Sequence, residues 1–427
     1  MALQAQRYLH GLLQAVRRNV ERMAEVVPGT DAQALHHFLS HSPWDARPVM
    51  DQVARDLDRL IGGSTDTCLL LDETCFAKKG TKSVGVARQW CGRQGKTDNC
   101  QVAVFAALVR GRSVGLIDTE LYLPEEWISN PARCEAAGVP AERRQLKTKP
   151  ELALEMVQRA RRNGLRFSFV AADGTYGQDR ALLRALDDAG ERFVVDVHRD
   201  QRMFLEKPSA SPKRHRGHPA EPPQVQDIRV DTWASEQLES AWQEIWVRHS
   251  TQGNLKVEAL RCRVWLQEGR QTSARCWHLV ISRELGAPET VKYSLSNAAE
   301  PISLQKLVYL QRQRYWIERA FQEAKNETGL HEYQARSWQA WHHHVALVMM
   351  AMLFLLRERH LHKDALPLLS TADVKYLLAR LLPRRDLDPE ELMRQIHRRH
   401  RQRQAAIESA YRRQRLKVST TLPPREI

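Results

Sequence analysis

Apolar positions from Leu3 to Leu60 recur at helical spacing and are interrupted at Pro28-Gly29 and Ser42-Pro43, which predicts a small helical unit with helices over Ala32–Leu39 and Val49–Ile61. From Thr67 the pattern changes to strand-like runs over Cys68–Asp72, Ser83–Trp90, Gln101–Val109 and Gly115–Leu123, with Gly92 and Gly111 near the turns of a meander. Helix, strand, helix and strand then alternate over Pro150–Asn163, Arg166–Ala172, Asp179–Ala189 and Arg192–Val197.

A meander followed by alternation predicts an α/β layer fold with one mixed sheet, and its order is that of the ribonuclease-H-like fold. The stretch 204–227, including Pro212-Lys213-Arg214-His215-Arg216, reads as an exposed linker. Short strand-like runs at Ile245–His249, Leu260–Trp265, Trp277–Ser282 and Val291–Leu295 predict a β-rich insertion, after which helices resume from Leu304. The expected organisation is a helical N-terminal DNA-binding domain over 1–62, in which a helix-turn-helix and a plain helical cap both fit. A ribonuclease-H-like catalytic domain over 63–203 and 298–360 comes next, interrupted by a linker and insertion over 204–297, and a basic helical C-terminal region occupies 361–427. Val345–Leu356 is the one continuously apolar run. It is shorter than the roughly 20 residues that span a bilayer, so it is expected to be a buried helix.

Charge narrows the partner. The 427 residues carry a formal net charge of +14, which favours a polyanion such as nucleic acid. From Arg394 to Lys417 the chain has nine Lys or Arg and one acid, Glu408, a helix suited to tracking phosphates. The seven cysteines are an odd set without a CxxC pair and read as reduced thiols in a cytoplasmic protein, neither a disulfide framework nor a zinc site.

Two aspartates end apolar runs. Asp72 follows Cys68-Leu69-Leu70-Leu71, and Asp173 follows Phe167 to Ala172, a pattern of buried strands that deliver carboxylates to a sheet edge. Taken singly, each reads first as a turn or helix-cap residue, Asp173-Gly174 being a common turn pair. Further on, Gln311, Arg314, Glu318, Gln322 and Lys325 share one polar helical face beside an apolar stripe of Trp316, Ile317, Ala320, Phe321 and Ala324. His342-His343-His344 cannot converge on one ion, because adjacent helical residues point apart. Tryptophans 233, 242, 246, 265 and 277 concentrate in the insertion, mostly as packing, with room for one that stacks a base.

The segment Tyr315-Trp316-Ile317-Glu318 with Lys325 and Gly329-Leu330 resembles the third-carboxylate signature of bacterial insertion-sequence DDE transposases. Arg314 stands four before the glutamate and Lys325 seven after it; Gln311 stands where many members carry a tyrosine. Leu71-Asp72-Glu73-Thr74, Lys78-Lys79-Gly80, Ser83 to Gln89, Asn99 to Ala103, Leu121 to Pro124, Lys147 to Ala153, Ala172 to Gly177 and Arg336 to His344 resemble one branch, the insertion-sequence family numbered seven hundred and one.

The resemblance implies a transposase that binds transposon terminal inverted repeats, cleaves them hydrolytically and joins the 3′-hydroxyl ends to target DNA, as a homodimer on double-stranded DNA of the nucleoid. Asp72, Asp173 and Glu318 would hold two Mg²⁺ or Mn²⁺ ions, since oxygen-only ligands suit those cations. Arg314, Lys325, Lys78, Lys79, Arg88, Lys149 and Arg336 would contact DNA. The alternatives are a transposase-derived DNA-binding regulator and a host ribonuclease-H-like nuclease. The intact set of acids speaks against the first, and the long insertion against the second.

Overall fold

Short polar side chains set where the N-terminal helices begin. Asn19, Asp31 and Asp45 accept hydrogen bonds from Arg22 N, Ala34 N and Arg47 N, satisfying first-turn donors that have no partner inside a helix. They start α2 (Val20–Val26), α3 (Ala32–Ser40) and α4 (Ala46–Ile61), after α1 (Ala2–Gln14). Tyr8, Leu12, Met23, Phe38, Met50 and Leu57 on these helices belong to the same buried core as the central sheet. The helical unit is therefore packed as a cap on that sheet. This computed structural model describes residues 1–207, 226–250, 253–268 and 271–413.

The sheet begins with β1 (Cys68–Ala77), β2 (Ala87–Cys91), β3 (Lys96–Arg110) and β4 (Ser113–Leu121). β3 is antiparallel to β1 along one edge; its other edge pairs first with β2 and then with β4. The expected strand over Ser83–Trp90 starts only at Ala87. Gly85 takes φ +71°, and a Cβ there would sit 2.9 Å from Tyr122 O, so the backbone turns at this point. After α5 (Glu125–Ile128), α6 (Pro131–Ala136) and α7 (Lys149–Arg162), the latter opened by a Thr148–Glu151 capping box, comes β5 (Phe169–Ala172). Then come α8 (Gly174–Gly177), α9 (Arg180–Asp188) and β6 (Phe193–Asp196). β5 is parallel to β1 and β6 is parallel to β5. The resulting order β4-β3-β1-β5-β6 is ribonuclease-H-like.

β7 (Arg202–Met203) pairs with β8 (Ile228–Arg229); the expected linker at Pro212–Arg216 between them lies outside the described residues. After α10 (Val230–Ser235), the insertion consists of β9 (Gln243–Ser250), β10 (Gly253–Glu268), β11 (Gln271–Glu284) and β12 (Ala287–Ser296). These are antiparallel neighbours in turn, and β12 is antiparallel to β6, so the insertion extends the main sheet to ten strands. α11 (Leu304–Gln313), α12 (Tyr315–Glu327), α13 (Trp338–Leu361), α14 (Thr371–Leu381) and α15 (Pro389–Arg413) complete the described chain, and the end of the basic segment at Lys417 lies beyond it.

Among the described residues α13 is the one helix long and apolar enough to cross a membrane. In the fold it is a core helix against α4 and β4, with 78% of its most apolar window buried. Its histidines diverge as expected: His342 Nδ1 meets Trp338 O, His343 meets Leu39 O and Trp44 O, and His344 Nδ1 meets Tyr8 Oη. One expectation fails. Cys75 and Cys91 form a disulfide with Cα atoms 5.5 Å apart, because the end of β2 packs against β1 in a small cluster with Cys100 and Val102, a proximity that 16 residues of sequence separation do not reveal. The other five cysteines are free thiols.

Candidate active site

The register of the parallel strands places three aspartates on one rung. Leu71 pairs with Ala172 and Ala172 with Val195, so the residues next along, Asp72, Asp173 and Asp196, stand side by side where the parallel pairing of β1, β5 and β6 ends, while β1 itself runs on to Ala77. In open α/β sheets that end of the parallel pairing is where ligands bind. Asp72 accepts from Glu73 N at 2.7 Å, and Asp173 caps α8 by accepting from Thr175 N at 2.9 Å. The cap reading of Asp173 and its place on the rung hold together.

α12 brings the remaining groups. Arg314 lies where α11 gives way to α12, and Ile317 N bonds back to Arg314 O over three residues, so the expected single helical face from 311 to 325 is broken there. Gln311 and Lys325 are buried, whereas Glu318 and Gln322 are exposed. Arg314 Nη1 is 3.0 Å from Glu318 Oε1 and 3.7 Å from Asp72 Oδ2, and its Nε is 3.0 Å from Asp196 Oδ2. One guanidinium thus gathers three carboxylates from three elements. Gln311 donates to Ser294 Oγ (2.8 Å), which donates to Asp196 Oδ1 (2.6 Å), tying the insertion strand β12 to the same cluster.

Burial costs the charged form more than Arg314 returns. The Asp72 carboxyl is pushed up to about 8, first by desolvation and then by the charge of Asp173. Asp173 is raised by burial and by the charge of Glu73. This donor set is all oxygen and carries more negative charge than its surroundings neutralise, which fits a hard divalent cation. Among the described residues, however, no three His, Cys, Asp or Glu side chains are grouped at ligating distance. In this structure the cation-like role falls to Arg314.

The expected DNA contacts divide. Lys325 donates to Thr74 Oγ1 at 2.6 Å between the rings of Phe76 and Phe321, and Lys149 pairs with Glu73 at 2.6 Å. Lys325 is buried, whereas Lys149 is half-buried. Arg88 is exposed on β2, beside the charge of Asp98. Lys78, Lys79 and Arg336 line a separate groove of about 1300 Å³ between α3, the loop after β1 and the loop before α13. Asp196 and Glu73 were not anticipated. Asp196 follows the apolar run Phe193-Val194-Val195 as Asp72 and Asp173 follow theirs, but a strand read through to Val197 conceals it. Glu73, with Tyr176 Oη donating to it at 2.8 Å, gives no comparable signal in sequence.

A family model described as DDE superfamily endonuclease matches residues 2–254. The chain belongs to that family. The matched segment of this DDE endonuclease contains Asp72 and Asp173 and ends before Glu318. The chain is also similar to a probable transposase for insertion sequence element IS701 from Microchaete diplosiphon, 25% identical over 337 residues, 78% of this chain and 77% of that protein. Among solved structures, the NurA nuclease from Sulfolobus solfataricus aligns over 74% of this chain and 92% of its own at 10% identity, with a TM-score of 0.20, too low to carry an argument.

The glycines of the motif around Asp173 have a steric cause. A Cβ at Gly177 would fall 1.8 Å from Asp196 O, so α8 and β6 approach closely only because that position lacks one. Gly177→Ala is expected to lower stability by about 3 kcal/mol, as overpacking does where backbone must move. Urea unfolding within about 0.5 kcal/mol of wild type would contradict this contact.

Proposed function

We propose that this DDE endonuclease is a DNA transposase acting in the cytoplasm on nucleoid DNA, binding the terminal inverted repeats of its element as a homodimer. It hydrolyses the strand at each end and joins the freed 3′-hydroxyl to target DNA, with Asp72, Asp173 and Glu318 as the catalytic carboxylates. The observation that carries this reading is the rung of Asp72 and Asp173 facing Glu318 across Arg314. Two bound Mg²⁺ or Mn²⁺ ions would stabilise charge on the attacking and leaving oxygens and activate water or the 3′-hydroxyl. The chain's own contribution is positioning. Asp196, held by Ser294, fixes Arg314 between the carboxylates, where its guanidinium can meet an entering phosphate.

The test is cleavage of a labelled duplex carrying the element's end sequence in Mg²⁺, followed by strand transfer to a second duplex. Nicking without any joining would reduce the reading to a nuclease; neither activity in a protein that binds the ends would leave a regulator.

Lys325 enters this reading as a positioning residue for β1 through Thr74. Lys325→Ala is expected to cost about 1–3 kcal/mol of stability by leaving Thr74 without its buried partner, with the salt dependence of DNA binding unchanged. A salt slope lowered by about one unit would return Lys325 to the phosphate backbone.

A further inference from the structure

The groove between α3 and the end of β1 is a built feature. Lys78 Nζ lies 3.7 Å over the Tyr333 ring, while Lys79, Lys82 and Arg336 are exposed at its rim. Among the described residues none of these four cations has a carboxylate within ion-pair distance, and Glu21 is the only acid in the lining. The loop that carries the lysines is fixed from beneath. Lys78 N bonds to Asn99 O (2.9 Å), Asn99 Nδ2 donates to Lys78 O (2.5 Å) and Gly80 O (3.1 Å), and Val84 N bonds to Arg336 O (2.9 Å), joining the two cationic loops. Gln101 Nε2 donates to Val84 O at 2.6 Å, and the Gln101 side-chain oxygen accepts from the Tyr333 hydroxyl under Lys78. The Asn99 to Ala103 motif therefore braces a row of uncompensated positive charge. Charges spread along two tethered loops suit the spaced phosphates of a duplex backbone better than one small anion.

We propose that this groove is a second DNA subsite that holds the backbone of the duplex beside the cut. It rests on the reading of the protein as a DNA-cutting enzyme and adds where the substrate runs. Ala77 lines the groove and lies five residues along β1 from Asp72, about 16 Å at roughly 3.3 Å per residue. At about 3.4 Å per nucleotide along one strand, the contacted phosphates are about five nucleotides from the cleaved one.

The experiment titrates a fluorescent duplex carrying the element's end with wild type, with the groove variant Lys79→Ala/Lys82→Ala/Arg336→Ala, and with a control variant of three exposed cations that do not line the groove, Arg59→Ala/Arg162→Ala/Lys363→Ala. The magnitude of the salt slope is expected to fall by roughly two to three for the groove variant, at about 0.9 per phosphate, and to stay at the wild-type value for the control. Equal slopes for groove variant and wild type, or an equal fall in the control, overturn the subsite. Position is read with a photo-crosslinker on Gly80→Cys, where an added side chain meets nothing within 4 Å. Attachment about five nucleotides from the cleaved phosphate is expected, and attachment more than about ten away overturns it. Cleavage by Asp173→Asn reports separately on the carboxylates. If that variant still cuts while the groove variant loses slope, the carboxylate assignment fails and the subsite stands. If the slopes are equal while Asp173→Asn is dead, the reverse holds.

Discussion

Asp173→Asn is expected to lower cleavage of end DNA in Mg²⁺ by about a thousandfold or more while changing duplex affinity less than about threefold. Asparagine keeps the volume and the side-chain oxygen that accepts from Thr175 N, so the cap on α8 and the rung survive. The loss is one of the two adjacent carboxyl groups that the parallel pairing of β1 and β5 sets side by side. Charge stabilisation by bound cations supplies several kcal/mol at such sites, and about 4 kcal/mol corresponds to roughly a thousandfold in rate. Affinity is carried by cations at other positions and should persist. Asp196→Asn is a useful contrast. It holds Arg314 and is itself held by Ser294, so its loss should cost about ten- to a hundredfold, the scale of groups that orient ligands. Single-turnover gels on both variants decide the matter. Full cleavage by Asp173→Asn removes it from the site.

Much of this arrangement is visible in the chain before any coordinates. An apolar run that stops at an aspartate marks a strand segment buried on both faces, and this locates Asp173 just past the end of β5 and Asp72 within β1, which runs on to Ala77, because parallel strands of a covered sheet have no polar alternation. The same logic extends to Asp196, whose run is only three residues long. Helical periodicity puts Arg314, Glu318 and Lys325 on one face but is silent on a break in the hydrogen-bond ladder at Arg314. It is equally silent on whether a lysine on a polar face is covered by a neighbouring strand. Lys325 is covered by β1. Pairings between elements packed together only by the tertiary fold, Cys75 with Cys91 and Lys149 of α7 with Glu73 of β1, carry no local signal, since each joins elements whose neighbours are chosen by the whole fold. The insertion's strands are legible as strands, whereas their fusion with β6 is settled by the pairing of Ser294 to Ser296 with Val194 to Asp196.

Asp72→Asn is expected to make the metal-free protein more stable at pH 8 while abolishing its activity. Burial and the neighbouring Asp173 push the Asp72 carboxyl up to about 8, whereas in the unfolded chain it titrates near about 4. Between those values the folded form keeps a proton that the unfolded form has released, so the unfolded state binds fewer protons and stability falls as pH rises through the window. The contribution is fully present below about pH 4 and lost above about pH 8. Asparagine has no proton to lose, so the variant skips the fall. A shift of this size corresponds to about 1.4 kcal/mol per pH unit, and relaxation with water entry reduces the gain at pH 8 to about 2–4 kcal/mol. Millimolar Mg²⁺ should raise the wild-type melting temperature at pH 8, because a cation that binds only the folded carboxylates stabilises by mass action, and should do so much less in the variant. Thermal melts in EDTA and in Mg²⁺, near pH 5 and near pH 8, test all of this. A variant that melts below wild type at pH 8 in EDTA, or a wild type whose stability does not fall between the two pH values, would show that Asp72 carries no excess charge for a cation to neutralise.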